Sequence, residues 1–249
     1  MAHLSTQTLK EIHARKSVRA YEEARAVSPE VKAQLLEAAL AAPTAGGMCL
    51  YTILDITDSE IKKKLASLCD NQPFIAKAPV VLVFLADWQR WHDSFTIATH
   101  GQTRSPGEGD LLLAAADALI AAQNVVVAAE SLGLGSCYIG DVLEQQEDIA
   151  ALLHIPQYAV PVGMLCIGYP TQQQKDRPKP KRFDAQYIVH ENHYQTADEQ
   201  TLRAMFSQRD AQRDFDQEAP AMAARKWDAP FMEEMTRSAR EWIRRFCGR

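Results

Sequence analysis

Two short basic segments are the first places in this chain where side-chain types and spacing point to chemistry. Arg15-Lys16-Ser17-Val18-Arg19 sets three cations around one hydroxyl. Arginine offers a planar fork of N–H donors, so such a cluster suits a phosphate or the pyrimidine edge of a flavin; it is also the composition of a solvated basic turn. Between Lys175 and Arg182, five positive charges meet one negative in eight residues, stiffened by Pro178 and Pro180. That concentration marks a local anion site or a solvated loop. Nucleic acid explains it poorly, because no stacking aromatic is interleaved before Phe183. The net charge of -5 over 249 residues gives no general positive footprint either.

Other chemistries lack their residues. Gly133-Leu134-Gly135-Ser136-Cys137-Tyr138 begins like a dinucleotide fingerprint, but Tyr138 stands where the third glycine belongs and a helix, not a strand, precedes it. There is no GxxxxGK[ST], no HExxH and no GxSxG. His190 and His193 lie three apart, a spacing that does not by itself make a metal site, so they read as surface histidines and no metal site is expected. The five cysteines form no CxxC pair, and the first twenty residues contain no apolar h-region. Both features lead to the expectation of a cytoplasmic protein with reduced thiols.

The elements that would position these segments follow from capping and periodicity. A helix opens near Ser5 and runs into the 15–19 cluster. Ser28 and Pro29 start a second, with Val31, Leu35, Leu36, Ala39 and Leu40 as its stripe, and Pro43 stops it. Thr44-Ala45-Gly46-Gly47 is then a loop, and Tyr51 to Thr57 a strand. Asp58 to Leu68 reads as a helix, and Pro79 to Ala86 as a strand buried on both faces. Asp110 caps a long apolar helix running to about Leu132, where Gly133 ends it. Asp117, Gln123 and Asn124 break its apolar centre, so it is expected in a protein core rather than a bilayer. Asp148 to His154 reads as a short helix, Val160 to Ile167 as a second buried strand, and Tyr187-Ile188-Val189 as a short edge strand. From about Ala197 the residues favour helix. The class is α+β or α/β with a helical C-terminal extension.

Taken in order, four motifs resemble the FMN-dependent nitroreductases. They are Arg15 to Arg19; Ala42-Pro43-Thr44-Ala45-Gly46-Gly47 leading into a strand; Ala129-Glu130-Ser131-Leu132 through Tyr138-Ile139-Gly140; and Ile167-Gly168-Tyr169-Pro170 with the Lys/Arg-Pro loop. The resemblance spans residue 9 to about 195. His190-Glu191-Asn192 and the Arg-Asp pairs at 209–210 and 213–214 are most similar to the oxygen-insensitive NADPH nitroreductase and flavin reductase subgroup.

The resemblance implies an α+β, three-layer fold with a central, mostly antiparallel sheet flanked by helices. It also implies a homodimer with FMN at the interface. Residues 1–194 would form the FMN-binding domain, and 195–249 a helical extension of the same unit. By position, Arg15, Lys16, Ser17 and Arg19 would hold the phosphate or the flavin's polar edge. Pro43 and Thr44 would pass near the cofactor, Gln72 and Phe74 would approach it, and Tyr138, Ile139 and Gly140 would lie beside the isoalloxazine. From the basic loop, aligning on Val189-His190-Glu191 gives Lys179 and Arg182 as phosphate ligands, whereas aligning on Tyr169-Pro170 gives Arg177 and Lys179. Gly47 and Cys49 stand where many members have Asn and Gln. The implied reaction takes two electrons from NADPH or NADH through FMN to small oxidants such as nitroaromatics, quinones or flavins. No nucleic acid or membrane takes part, and Arg209 and Arg213 are candidates for the 2′-phosphate of NADPH. A flavin-storing or flavin-modifying relative on the same scaffold is the alternative, and it would not consume NAD(P)H.

Overall fold

The computed structural model describes residues 6–209 and 214–249, apart from the side chain of Arg209. Among them, in chain order, are α1 (Gln7–Ala14), α2 (Pro29–Leu40), β1 (Tyr51–Asp55), α3 (Ser59–Leu68), α4 (Phe74–Lys77), β2 (Val80–Asp87), α5 (Gln89–Ala98) and α6 (Glu108–Ser131). There follow β3 (Gly135–Ile139), α7 (Gln146–Leu152), β4 (Ala159–Gly168), α8 (Gln172–Asp176), α9 (Glu199–Arg209), α10 (Phe215–Lys226) and α11 (Pro230–Phe246). The chain divides into two compact units. The first reaches to Arg177 and resumes at Glu234–Arg249; the second is Pro178–Glu233. The end of α11 belongs to the first unit: its Trp242 and Phe246 are buried in that unit's core.

The first unit is built on a four-stranded sheet of order β1-β2-β4-β3, antiparallel at every pairing. β2 is buried along its whole length, and its side chains alternate between two cores as a pleated strand requires. Val81, Val83 and Leu85 join a cluster with Leu65, Ile75, Ile149, Met164, Trp242 and Phe246. Val80, Leu82 and Phe84 join another with Leu35, Ala39, Ala118, Ala122, Val125 and Leu165. Helices α2 and α6 thus cover one face and α3, α7 and α11 the other, giving the three layers.

Local chemistry sets the ends of α6. The helix starts two residues before Asp110, whose carboxylate reaches back to accept the Gly107 N–H at 2.8 Å and also holds Arg104. At its far end Gly133 takes φ +72°, and the Leu134 N–H returns to the Ala129 carbonyl at 2.8 Å. α6 is the one helix among the described residues long and apolar enough to cross a bilayer. Here its inner face packs on the sheet.

Several elements differ from the sequence expectation, which anticipated neither α4 nor α8. Residues 185–187 form a single 3₁₀ turn, not an edge strand, and Ile188 and Val189 are exposed. A β-rich triplet needs a partner strand, and among the described residues the second unit has none. α5 was not anticipated; Asp87 starts it by accepting the Gln89 N–H at 2.8 Å. Nor was β3, whose Gly-Ser-Cys-Tyr-Ile sequence follows directly on the helix-ending glycine.

The segment after α1 lies against the ends of β3 and β4. Val18 N–H donates to the Ser136 carbonyl at 2.9 Å, and Glu22 N–H to the Tyr169 carbonyl at 2.8 Å. Two glycines permit this approach: a Cβ on Gly135 would lie 2.5 Å from Val18 Cγ2, and one on Gly168 2.7 Å from Tyr21 Cδ1. Gly135→Ala should therefore cost about 2 kcal/mol or more in urea unfolding, since backbone or packed side chains must move. Gly163→Ala, with its nearest atom at 3.6 Å, should cost far less.

Candidate functional site

Residues 15–22 form a strap whose side chains gather at one end of the sheet. Lys16 Nζ donates to the Lys175 carbonyl at 2.6 Å and to that of Arg177. Arg177 in turn donates through Nη2 to the Ser17 carbonyl, and Lys175 pairs with Glu22 at 2.9 Å. The strap and the 171–177 segment are therefore stitched together by their own cations, and Lys16 is committed to backbone. Arg19 lies over the Phe74 ring, 6.0 Å from its centroid. Two buried polar atoms here have no partner among the described residues: Arg177 Nε and Ser136 Oγ. Unpaired buried donors are costly and call for a ligand or water.

The electrostatics point the same way. Burial pushes the Cys137 thiol up, while Arg19, a Ser17 hydrogen bond, Arg15 and Arg177 pull it down. The guanidiniums of Arg15, Arg19 and Arg177 thus all act electrostatically on one buried sulfur, and Arg177 also carries the unpartnered N–H; an anion of modest size is the natural counterpart.

Across the sheet, the 43–50 loop is held by one carboxylate. Asp117, buried in the middle of α6, accepts the Thr44 hydroxyl, the Ala45 N–H at 3.0 Å and the Leu50 N–H at 3.2 Å. Thr44 Oγ1 meanwhile accepts the Cys49 N–H at 2.8 Å, so its hydroxyl is fully used inside the loop. Pro43 is exposed at the loop's start. Gly46, Gly47 and Cys49 adopt φ of +57°, +71° and +49°. From α5, Trp91 Nε1 donates to the Met48 carbonyl at 2.8 Å and Arg90 to that of Cys49 at 2.9 Å. Cys49 is half-buried against the α2/α6 core, a packing position.

The end of β3 brings the third group. Tyr138 is half-buried, and burial pushes its hydroxyl up to about 12. Ile139 is buried, and Gly140 opens a 3₁₀ turn at Asp141–Leu143. Gln72 Nε2 lies 2.9 Å from the Cys69 carbonyl and 2.5 Å from an Asp141 carboxylate oxygen. α11 clamps the same turn: Ser238 Oγ donates to the Leu143 carbonyl at 2.6 Å, and Arg237 meets Glu147 at 2.8 and 2.9 Å.

Of the residues singled out from sequence, Arg15, Ser17 and Arg19 gather with Arg177 at the sheet end. Gln72, Tyr138, Ile139 and Gly140 cluster near β3's end, while Thr44 serves loop structure. Lys179 and Arg182 belong to the second unit, where Arg182 is exposed. Arg213 and the Arg209 side chain lie outside the described residues. Sequence reasoning missed Asp117, Asp141 and Ser136; a lone Asp inside an apolar helical run was the available signal for the first.

Glu144 is buried beneath this turn, with Oε1 unpartnered. Burial, with like charge from Asp141, Asp70 and Glu234, pushes its carboxyl up to about 7. Unfolded, it titrates near 4.5; between these values the folded chain binds a proton that the unfolded chain has released. Its contribution is fully present at low pH and is lost as pH rises through 7. Glu144→Gln should therefore raise Tm relative to wild type at about pH 8 and match it at about pH 4.5; equal shifts at both would contradict the reading.

Comparison with known proteins bears on this arrangement. The model for "Nitroreductase family" matches residues 12–169. The chain is 31% identical over 202 residues to FMN reductase [NAD(P)H] of Bacillus subtilis (strain 168), covering 78% of this chain and 77% of that one. Over 168 residues it is 31% identical to the oxygen-insensitive NADPH nitroreductase of Salmonella typhimurium, covering 68% and 67%. Its fold superimposes on the structure of NADPH:FMN oxidoreductase from Vibrio harveyi complexed with NAD+ with a TM-score of 0.75 at 27% identity, covering 94% of this chain and 98% of that one.

Proposed function

The chain belongs to the nitroreductase family, and from that premise we propose that the strap and the 171–177 segment form the phosphate end of its FMN site, with Arg15, Ser17 and Arg177 as ligands. The protein is an FMN-dependent NAD(P)H oxidoreductase. The observation that carries the site assignment is the buried Nε of Arg177, unpartnered among the described residues. It favours the alignment that selects Arg177 over the one that selects Lys179 and Arg182. When bound, FMN would supply the two-electron redox chemistry that links NAD(P)H to an oxidant, with Arg15, Ser17 and Arg177 holding its phosphate.

The chain's own groups bind and tune. Arg19, held over Phe74, supplies positive charge to the pyrimidine edge, where negative charge grows on reduction. Gln72 and the backbone of Tyr138, Ile139 and Gly140 line the ring, while Pro43 and Thr44 act through the loop's shape. Lys16 fixes the strap to its neighbour rather than meeting the ligand. NADPH is the proposed donor, and nitroaromatics, quinones and free flavins are the acceptors an open ring face would serve. The cytoplasm, where five free thiols persist, is the proposed compartment.

Pure protein should be yellow and bleach anaerobically on adding NADPH; a colourless preparation that gains no stability from FMN would defeat the reading. Arg177→Ala should weaken FMN binding about tenfold or more, one charged hydrogen bond's worth. Arg182→Ala should do less; the reverse order would return the phosphate to Arg182.

The outer face of α6 supports a homodimer. Its inner face packs on the sheet, while Leu112, Leu113, Leu119 and Ile120 are exposed on the other, Leu112 by 72%. An apolar stripe on a well-ordered helix needs a partner surface, and a second copy supplies one. Ile120→Glu should shift the protein from dimer to monomer in analytical ultracentrifugation and lower its flavin content in parallel. A variant that remains dimeric would move the interface elsewhere.

A further inference from the structure

Gln72 has an unusually defined amide. Its side-chain nitrogen sits between the Cys69 carbonyl at 2.9 Å and an Asp141 carboxylate oxygen at 2.5 Å. Both neighbours are acceptors, so the atom between them must be the NH₂ group; a carbonyl oxygen there would face two lone-pair bearers. With both N–H bonds committed, Oε1 is the only function the side chain has left, and it offers lone pairs without a donor.

The two anchors differ in strength and origin. The Cys69 carbonyl belongs to the cap of α3, three residues back along the chain, and comes with the local turn. Asp141 comes from the turn that follows β3 and Gly140, 69 positions along the sequence. Its carboxylate is the charged, stronger acceptor. The same turn is clamped from below by Ser238 and Trp242 of α11, both bonded to the Leu143 carbonyl. Asp141 therefore sits on a fixed support.

We propose that Asp141 is a positioning residue for the cofactor: it holds the Gln72 amide one way round, so that an acceptor, and no donor, faces the isoalloxazine edge. This rests on the reading that Gln72 lines the flavin. An acceptor at that edge is complementary to the imide N3–H, the one ring N–H of oxidised flavin. Turned over, the same amide would set a donor against that N–H.

The test uses the apoprotein, with FMN and N3-methyl-FMN as probes and flavin fluorescence quenching as readout. Wild type should bind FMN about tenfold or more tighter than the N3-methyl analogue. Asp141→Leu should lose most of that preference, whereas Asp141→Asn, which keeps an acceptor oxygen, should retain it. In a Gln72→Leu background, Asp141→Leu should add no further loss, since two residues acting through one contact are not additive. If Asp141→Leu does not fold, Asp141→Ala makes the same comparison. Preference unchanged in Asp141→Leu but lost in Gln72→Leu overturns the positioning role and leaves the Gln72 contact standing. Preference unchanged in Gln72→Leu overturns the contact, and the proposal with it.

Discussion

Much of this molecule depends on how closely one strap of backbone lies on the ends of two strands. Gly135 and Gly168 have no Cβ, and Val18 and Tyr21 fill the space a Cβ would take. That approach lets the strap exchange hydrogen bonds with Ser136, Tyr169 and Thr171. It sets the spacing of Arg15, Ser17 and Arg19 from the residues of β3 and from Arg177. The basic cluster is thereby fixed by main-chain geometry, and its long side chains need not find one another unaided.

The same division of labour recurs around the site. Polar side chains that a motif search would assign to the ligand are spent on shape. Thr44 and Asp117 satisfy the donors of a loop that takes left-handed conformations at Gly46, Gly47 and Cys49. Lys16 ties two carbonyls. Such groups preorganise the surroundings, and a preorganised site pays less reorganisation when charge moves within it. The groups left for a ligand are the ones whose hydrogen-bonding capacity the chain itself does not exhaust.

The sequence made the central parts of the fold legible. Apolar runs at 80–86 and 160–167 could only be buried strands, and Ser28-Pro29 with Gly133 fixed the ends of two helices. Residue types at 15–19 and in the 175–182 loop were enough to point to an anion. Long-range pairing was less visible. β3 carries Gly and Ser in a stretch with weak strand preference and forms because β4 is there to pair with it. The 187–189 triplet has the stronger preference and lacks a partner, so it stays out of a sheet. Arg177 and Arg182 could not be told apart by spacing, since only the folded chain reveals whose guanidinium reaches the Ser17 carbonyl. Asp117 and Asp141 stayed hidden for the same reason: their partners lie about 70 positions away in sequence.

The buried cysteines carry a consequence for the protein's chemical durability. Cys69, Cys137 and Cys166 lie in the core, and burial raises all three thiols above their ordinary range. Oxidative damage proceeds through the thiolate. A protein that passes electrons to small oxidants all day keeps these sulfurs protonated and walled off. Its sulfur can therefore serve as packing material beside redox traffic without being consumed by it.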